Sequence, residues 1–286
     1  MKYMQIRKCE KEYPVQAMAH VLGVSRSGYY SWRNSGPSNR SKRNVEILRE
    51  IRSIHEEMDA TYGSPRMHEE LRDRNFDCGR HRVARLMSKN NIFAIQKRKF
   101  CVTTDSNHDF VTAENLLGRD FSADECNEKW AGDITYIPTE EGWLYLSVVM
   151  DLFSRRIIGW STSKTLERGL VLDALKMAII QRGCASTVFH SDRGVQYASE
   201  DFQRLLKKND ISCSMSRTGD CWDNAMVESF FHTLKVERVN RRKYRDRAHA
   251  RRDIFEYIER FYNRKRKHSA IGYMNPVQFE EARIAA

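Results

Sequence analysis

The stretch VFHSDRGVQY, Val188 to Tyr197, runs a short apolar strand into His190, Ser191 and Asp192 and then turns at Arg193 and Gly194. A strand that ends on a carboxylate and a glycine turn displays that carboxylate at the C-terminal edge of a sheet, where open α/β sheets place their ligands. The same residues also suit an ordinary turn, because Asp ahead of a glycine is common turn chemistry. Asp192 is therefore a site residue only if partners from elsewhere in the chain converge on it.

The sequence around this stretch has the texture of a sheet protein. WAGDITYIP (130–138) alternates, WLYLSVVMD (143–151) is a continuous apolar run, and RRIIGWSTS (155–163) is a third strand, with EEG at 140–142 suited to a hairpin. A helix follows, marked by Leu166, Leu170, Ala174 and Ala178. Then come the strand STVFHSD, the helix SEDFQRLLKKND, the short strand ISCSMS and a long helix from about Asn224 to Val236. Three antiparallel strands extended by parallel strands through helices make an α/β, ribonuclease H-like mixed sheet. In that arrangement the middle of the first strand lies beside the end of the fourth, so Asp133 and Asp192 are brought together.

Asp133 sits in an otherwise apolar and aromatic strand, where an ionised carboxylate needs a partner or a cation to offset its desolvation. The last helix carries an apolar stripe at Met226, Val227, Phe230, Phe231 and Leu234. Glu228 flanks that stripe and can point at the sheet edge, which makes it the candidate third carboxylate, and Lys235, two turns on, lies on nearly the same side, placed to hold a phosphate. Asp151, Asp220 and Asp223 are rivals for ligand duty. Three oxygen ligands without a Cys or His cluster favour Mg²⁺ or Mn²⁺, and two such ions would serve an in-line displacement at phosphorus. Tyr136 and Tyr197 lie near the acids and are read as packing residues or as surfaces on which a frayed base stacks.

Net charge is +11, and it is unevenly placed. Residues 1–100 hold 21 Lys and Arg against 11 Asp and Glu, residues 101–237 hold 14 against 21, and residues 238–286 hold 14 against 6. Basic flanks around an acidic middle fit a protein that grips a polyanion at its ends and gathers carboxylates for another purpose. No apolar run approaches a membrane span and the first residues lack a signal-peptide core, so a cytoplasmic protein is expected. The seven cysteines include no C-x-x-C pair, which argues against a disulfide framework or a zinc knuckle.

Within the basic front, YPVQAMAHVLGVSRSGYYSW (13–32) reads as helix, glycine turn, helix, with Arg26 and Ser27 at the start of the second helix, where recognition helices meet DNA. NSGPSNRSKRN (34–44) reads as a linker. An amphipathic helix through Val45 to Met58 follows, then the YGSPRM turn, a helix from Pro65 to Arg74, and a helix in GRHRVARLMSKNNI (79–92). Arg80, Arg82 and Arg85 give that last helix a basic surface, extended by Lys97, Arg98 and Lys99. The organisation expected is a helix-turn-helix over 1–36, a second such DNA-binding domain over 37–100, a connector over 101–125, a catalytic core over 126–237 and a basic helical tail over 238–286.

WAGDITYI, HSDRGVQY and GDCWDNAMVESFFHTLKVE place 35 residues between Asp192 and Glu228, with a lysine seven after the glutamate. This closely resembles the D, D(35)E signature of bacterial insertion-sequence transposases related to retroviral integrases. VLGVSRSGYYSW, YGSPRM, MDLFSRRIIGW and HSAIGYMNPVQF extend the resemblance over nearly the whole chain to the second-frame transposases of the insertion sequence 3 family. The resemblance implies Asp133, Asp192 and Glu228 as a metal-binding triad for DNA cleavage and strand transfer. It further implies the element's terminal inverted repeats and target DNA as partners, a homo-oligomer on DNA, and association with the nucleoid. The family's catalytic frame is usually fused to an upstream-frame protein, a further expected partner. A non-catalytic DNA-binding regulator derived from a transposase is the alternative, and it leaves three acids and Lys235 at catalytic spacing without a purpose.

Overall fold

A computed structural model describes residues 1–36, 38–95, 113–118, 120–183, 186–216 and 224–284. Lys97 to Lys99, most of the expected connector, and the rivals Asp220 and Asp223 lie outside the described residues. Contacts divide the chain into two units, one of residues 1–59 and 67–93, the other of residues 60–66 and 94–286. Among the described residues no helix is long and apolar enough to cross a membrane.

The first unit is helical. A helix not anticipated from the sequence, α1 (Lys2–Cys9), precedes α2 (Val15–Val21) and α3 (Arg26–Asn34). Ile6, Ala19 and Tyr29 form the core of these three helices. Gly23, at φ +60°, makes the turn between α2 and α3, and the Ser25 hydroxyl accepts from Gly28 N–H to start α3. The expected linker is short, because Ser38 caps α4 (Asn39–Glu57) through Ser41 N–H and the helix begins there. The helices α5 (Ser64–Asp73) and α6 (Arg80–Lys89) follow. Arg74 ties Glu50 and Glu57 of α4 to Glu70 of α5, at 2.8, 2.6 and 3.3 Å.

The second unit is built on a five-stranded sheet. Its strands are β1 (Lys129–Thr139), β2 (Gly142–Asp151), β3 (Ile157–Ser163), β4 (Val188–Ser191) and β5 (Ser212–Met215), in the order β3-β2-β1-β4-β5. The β1–β2 and β2–β3 pairs are antiparallel, and the β1–β4 and β4–β5 pairs are parallel. This is the ribonuclease H-like sheet expected from the order of elements. Side chains alternate across it. Ala131, Ile137, Leu144, Leu146, Val148 and Met150 face α10 (Ala225–Glu237), through Val227, Phe230, Phe231 and Leu234. Trp130, Val149 and Ile158 face α7 (Arg168–Arg182) and α9 (Glu200–Lys208), with the short α8 (Val195–Ala198) between β4 and α9.

The basic segment after α10 is folded into this unit. Ala250 and Ile254 of α11 (Arg247–Phe255), with Tyr257, Ile258 and Tyr262 of the π-helical continuation Glu256–Tyr262, join the core on the α10 face. Asn263, fully buried, accepts from Ile157 N–H at 3.0 Å and donates to its carbonyl at 2.9 Å, closing part of the β3 edge as a further strand would. The last helix, α12 (Pro276–Ile284), supplies Glu280, whose role is described below.

Candidate active site

The β1–β4 register places Ala131 opposite His190, so Asp133 and Asp192 follow two residues later on neighbouring strands. Asp133 shares its sheet face with Ala131 and Ile137, the face that α10 covers. Its Oδ1 accepts from Ile134 N–H at 2.7 Å. Asp192 does both things its sequence context allowed. It makes the turn, with Oδ1 accepting from Gly194 N–H at 2.9 Å, and it lies within electrostatic reach of Asp133 and Glu228. A Cβ at position 194 would stand 2.9 Å from that Oδ1, so a larger residue there would displace the carboxylate from this position.

The strand end behind Asp192 is anchored by side chains that the sequence reading passed over. His190, buried, pairs through Nδ1 with Ser214 Oγ at 2.9 Å and through Nε2 with Ser216 Oγ at 3.3 Å. Ser216 N–H donates to Ser191 carbonyl at 2.9 Å, and Arg193 Nε donates to Ser216 carbonyl at 2.6 Å. The α10 side is fixed by Asn224, whose Nδ2 donates to Gly132 carbonyl at 3.1 Å. An Asn just ahead of a helix reads as a cap. Here its amide instead ties the start of the helix bearing Glu228 to the residue preceding Asp133.

Electrostatics follow from the crowding. Burial, and then the neighbouring Asp192 and Glu228, push the Asp133 carboxyl well above its usual range, against the opposing pull of Ile134 N–H and Lys235. Burial and Asp192 likewise raise Glu228. Burial lowers the Lys235 ammonium, with Tyr136 and Asp133 partly restoring it, and its Nζ stands 4.9 Å from the Tyr136 ring centroid. Three carboxylates share one edge, with Lys235 beside Asp133, an arrangement in which mutual repulsion favours added positive charge. All the donors are hard oxygens, which suits Mg²⁺ or Mn²⁺.

The two tyrosines part company. Tyr197 is buried against Phe189 and Phe202, and burial, Asp133 and Asp192 push its hydroxyl well above the usual value. Tyr136 is exposed and meets Trp143 edge-on at 5.0 Å.

Asp151 lies elsewhere. It pairs in register with Trp130, three residues from Asp133, and so belongs to the opposite face of the sheet. Its oxygens accept from Asn127 and Phe153 N–H at 2.9 and 3.0 Å, and they group with Cys126 and Glu280 within 4.8 Å. Glu280 in turn is held by Ser154 Oγ at 2.6 Å, by Arg156 at 2.7 Å, and by Arg182.

In the helical unit Arg26 and Ser27 are exposed at the start of α3, and Arg80 and Arg85 are exposed on α6. Arg82 is half-buried, and its Nε donates to Asn44 Oδ1 on α4 at 2.9 Å.

Residues 123–221 and 209–276 match two integrase core domain families, and residues 42–100 match an HTH-like domain family. The transposase InsF for insertion sequence IS3A of Escherichia coli (strain K12) is 42% identical over 288 residues, covering 100% of both chains. The insertion element IS600 uncharacterized 31 kDa protein of Shigella sonnei is 41% identical over 265 residues, 92% of this chain and 97% of that one. Among solved structures, the HTLV-2 integrase catalytic core domain in complex with magnesium aligns with a TM-score of 0.42 at 17% identity, covering 56% of this chain and 99% of that one.

Proposed function

The chain belongs to the insertion sequence 3 family of transposases, and from that premise we propose that Asp133, Asp192 and Glu228 hold two Mg²⁺ or Mn²⁺ ions for DNA strand cleavage and strand transfer. The observation that carries this reading is the convergence of three carboxylates from β1, the end of β4 and α10 at one sheet edge, where burial and mutual repulsion raise two of them. When bound, the ions supply Lewis acidity to the attacking and the leaving oxygen of an in-line displacement.

The chain's own residues do the positioning. Asn224 and the His190–Ser214–Ser216 cluster fix the carboxylates, so their spacing is set before DNA arrives. Lys235, beside Asp133 on the face of α10 that carries Glu228, holds a DNA phosphate next to the triad. The exposed ring of Tyr136 offers a frayed base a stacking surface. The attacking groups are water and then a DNA 3′-hydroxyl. Tyr197 is no nucleophile, since it is buried against Phe189 and Phe202 and out of reach of DNA. Arg26, Ser27, Arg80 and Arg85 contact the element's terminal inverted repeats, and a homo-oligomer on DNA brings two ends and the target together. The upstream-frame protein is a further partner, and the nucleoid is where the protein works.

The test is incubation of the full chain with Mn²⁺ and end-labelled duplex carrying an element end, followed by denaturation. All label should migrate as free or joined DNA, and Asp133→Asn, Asp192→Asn and Glu228→Gln should each yield neither cleaved nor joined product. Label that migrates with protein until protease treatment, or joining by any of the three variants, overturns the proposal.

A further inference from the structure

Behind the helix that carries Glu228, the second unit encloses a polar cavity of about 270 Å³. It is assembled from the stretches that carry the family resemblance yet contribute no carboxylate to the triad: Arg66 from YGSPRM, Arg155 from MDLFSRRIIGW, and His268 from HSAIGYMNPVQF, with Arg266 just before it. The wall of α10 adds Ser229, Thr233 and Glu237. At 3.6 residues per turn these positions lie on a different side of α10 from Glu228 and Lys235, so one helix serves two sites.

The donors in this cavity exceed the acceptors. Three guanidinium groups face one carboxylate, and that carboxylate is already committed. Glu237 receives Arg266 through two bonds of 2.8 and 2.7 Å, and the Tyr257 hydroxyl at 2.9 Å. Arg66 reaches it only at 3.9 Å, without a hydrogen bond. Arg155 is half-buried, stands at φ +62° in the left-handed region where a non-glycine residue is strained, and has no ion pair or hydrogen bond among the described residues. Buried cations are ordinarily paired, and two arginine forks without a full acceptor set match a planar-edged oxyanion. Burial lowers both Arg66 and Arg155, and burial with the three arginines lowers His268, as expected of a cavity with surplus positive charge. The volume lies at the small end of ligand pockets, which start at roughly 300 Å³, and so suits a phosphate group better than a whole nucleotide.

We propose that this cavity is a phosphate-binding site, separate from the carboxylate triad, in which Arg155 and Arg66 hold the phosphate while the Arg266–Glu237 pair frames it. The phosphate is offered by a DNA strand or by a free phosphate compound, and the two sources are separable. Titration of the full chain with inorganic phosphate in EDTA should give saturable binding, equal in wild type and Asp133→Asn, so that failure of the triad reading leaves this result untouched. Arg155→Gln should weaken phosphate binding at least tenfold while the melting temperature without phosphate stays within a few degrees of wild type, because no buried carboxylate loses its partner. If the source is DNA, the slope of log affinity for duplex against log salt falls by about one in Arg155→Gln. An unchanged slope with phosphate binding lost assigns the site to free phosphate. Absence of phosphate binding by wild type, or an Arg155→Gln curve superimposed on the wild-type one, overturns the assignment.

Discussion

Two acidic clusters lie in the same sheet unit, each with a carboxylate raised by burial, and they differ in what surrounds it. At the Asp151 corner, backbone N–H groups bond Asp151, whose carboxyl burial still pushes up to about 6, and Ser154, Arg156 and Arg182 hold Glu280. Burial pushes Glu280 up, but these bonds outweigh it and leave its pKa below the usual value. At the Asp133 edge the carboxylates crowd one another, and Lys235, which draws Asp133 down, also lies over the Tyr136 ring. The Asp151 group is the more compact of the two, and compactness is the wrong criterion. A carboxylate held between two arginines, as Glu280 is, holds a fold together. A cluster whose carboxylates crowd and repel one another is suited to hold a cation.

The largest effect that tests this contrast is on catalysis. Asp133→Asn, Asp192→Asn and Glu228→Gln should each reduce strand transfer by at least about 10³-fold, beyond the roughly 10–100-fold typical when a ligand's supporting partner is removed. Asp151→Asn should retain strand transfer within about tenfold. Quantifying joined product on a denaturing gel checks both, and a silent Asp151→Asn beside an active Asp133→Asn would reverse the assignment of the clusters.

Stability should show the converse. Glu280→Gln leaves Arg156 and Arg182 without their carboxylate and should cost about 3–5 kcal/mol in urea unfolding. An unfolding midpoint equal to wild type would mean that the Asp151 corner is not structural.

The Asp133 edge should be a net liability to the fold without metal. Its folded-state pKa is raised, so around the window above the ordinary carboxylate range the folded chain keeps a proton that the unfolded chain has released. Stability therefore falls as pH rises through that window. Asp133→Asn in EDTA should flatten this dependence and raise the melting temperature at pH 7 by about 2–6 °C, and Mg²⁺ should stabilise wild type but not the variant. A variant that melts at or below wild type under these conditions contradicts the contrast.

The smallest effect belongs to the helical unit. Arg85→Ala should lower the salt slope of duplex binding by about one with the melting temperature unchanged. Arg82→Ala should instead cost about 1 kcal/mol of stability through its lost bond to Asn44. Equal salt slopes for the two variants would show that burial does not sort these arginines.

What was legible in the sequence was whatever short-range pattern controls. Period-2 runs gave the strands, and strand order alone put Asp133 beside Asp192. The helical stripe of α10 fixed which side carried Glu228. What escaped were partnerships across long separations with no local signature. Glu280 meets Arg156 from 124 positions away, and Asn224 reaches Gly132 across 92. The basic 238–286 segment read as a helical tail that grips a polyanion, because its 14 Lys and Arg outweigh its 6 Asp and Glu, yet Ala250, Ile254, Tyr257 and Ile258 are buried in the core on the α10 face. Arg82 looked like its neighbours Arg80 and Arg85, and only packing against α4 distinguishes it.

The closure of the β3 edge by Asn263 bears on how the protein is made. Synthesis runs at roughly 5–20 residues per second, and domains fold as units in the order they emerge. The helices proposed to touch DNA have all emerged once residue 93 has, whereas Ile157 of β3 keeps its backbone groups without Asn263 until some hundred residues after the strand itself. Through that interval the proposed DNA-contacting helices would precede a finished catalytic unit, with an edge of its sheet still open. A ribosome paused within it would expose a pairing-ready edge to other nascent chains, so slow translation between β5 and residue 263 should favour aggregation over transposition.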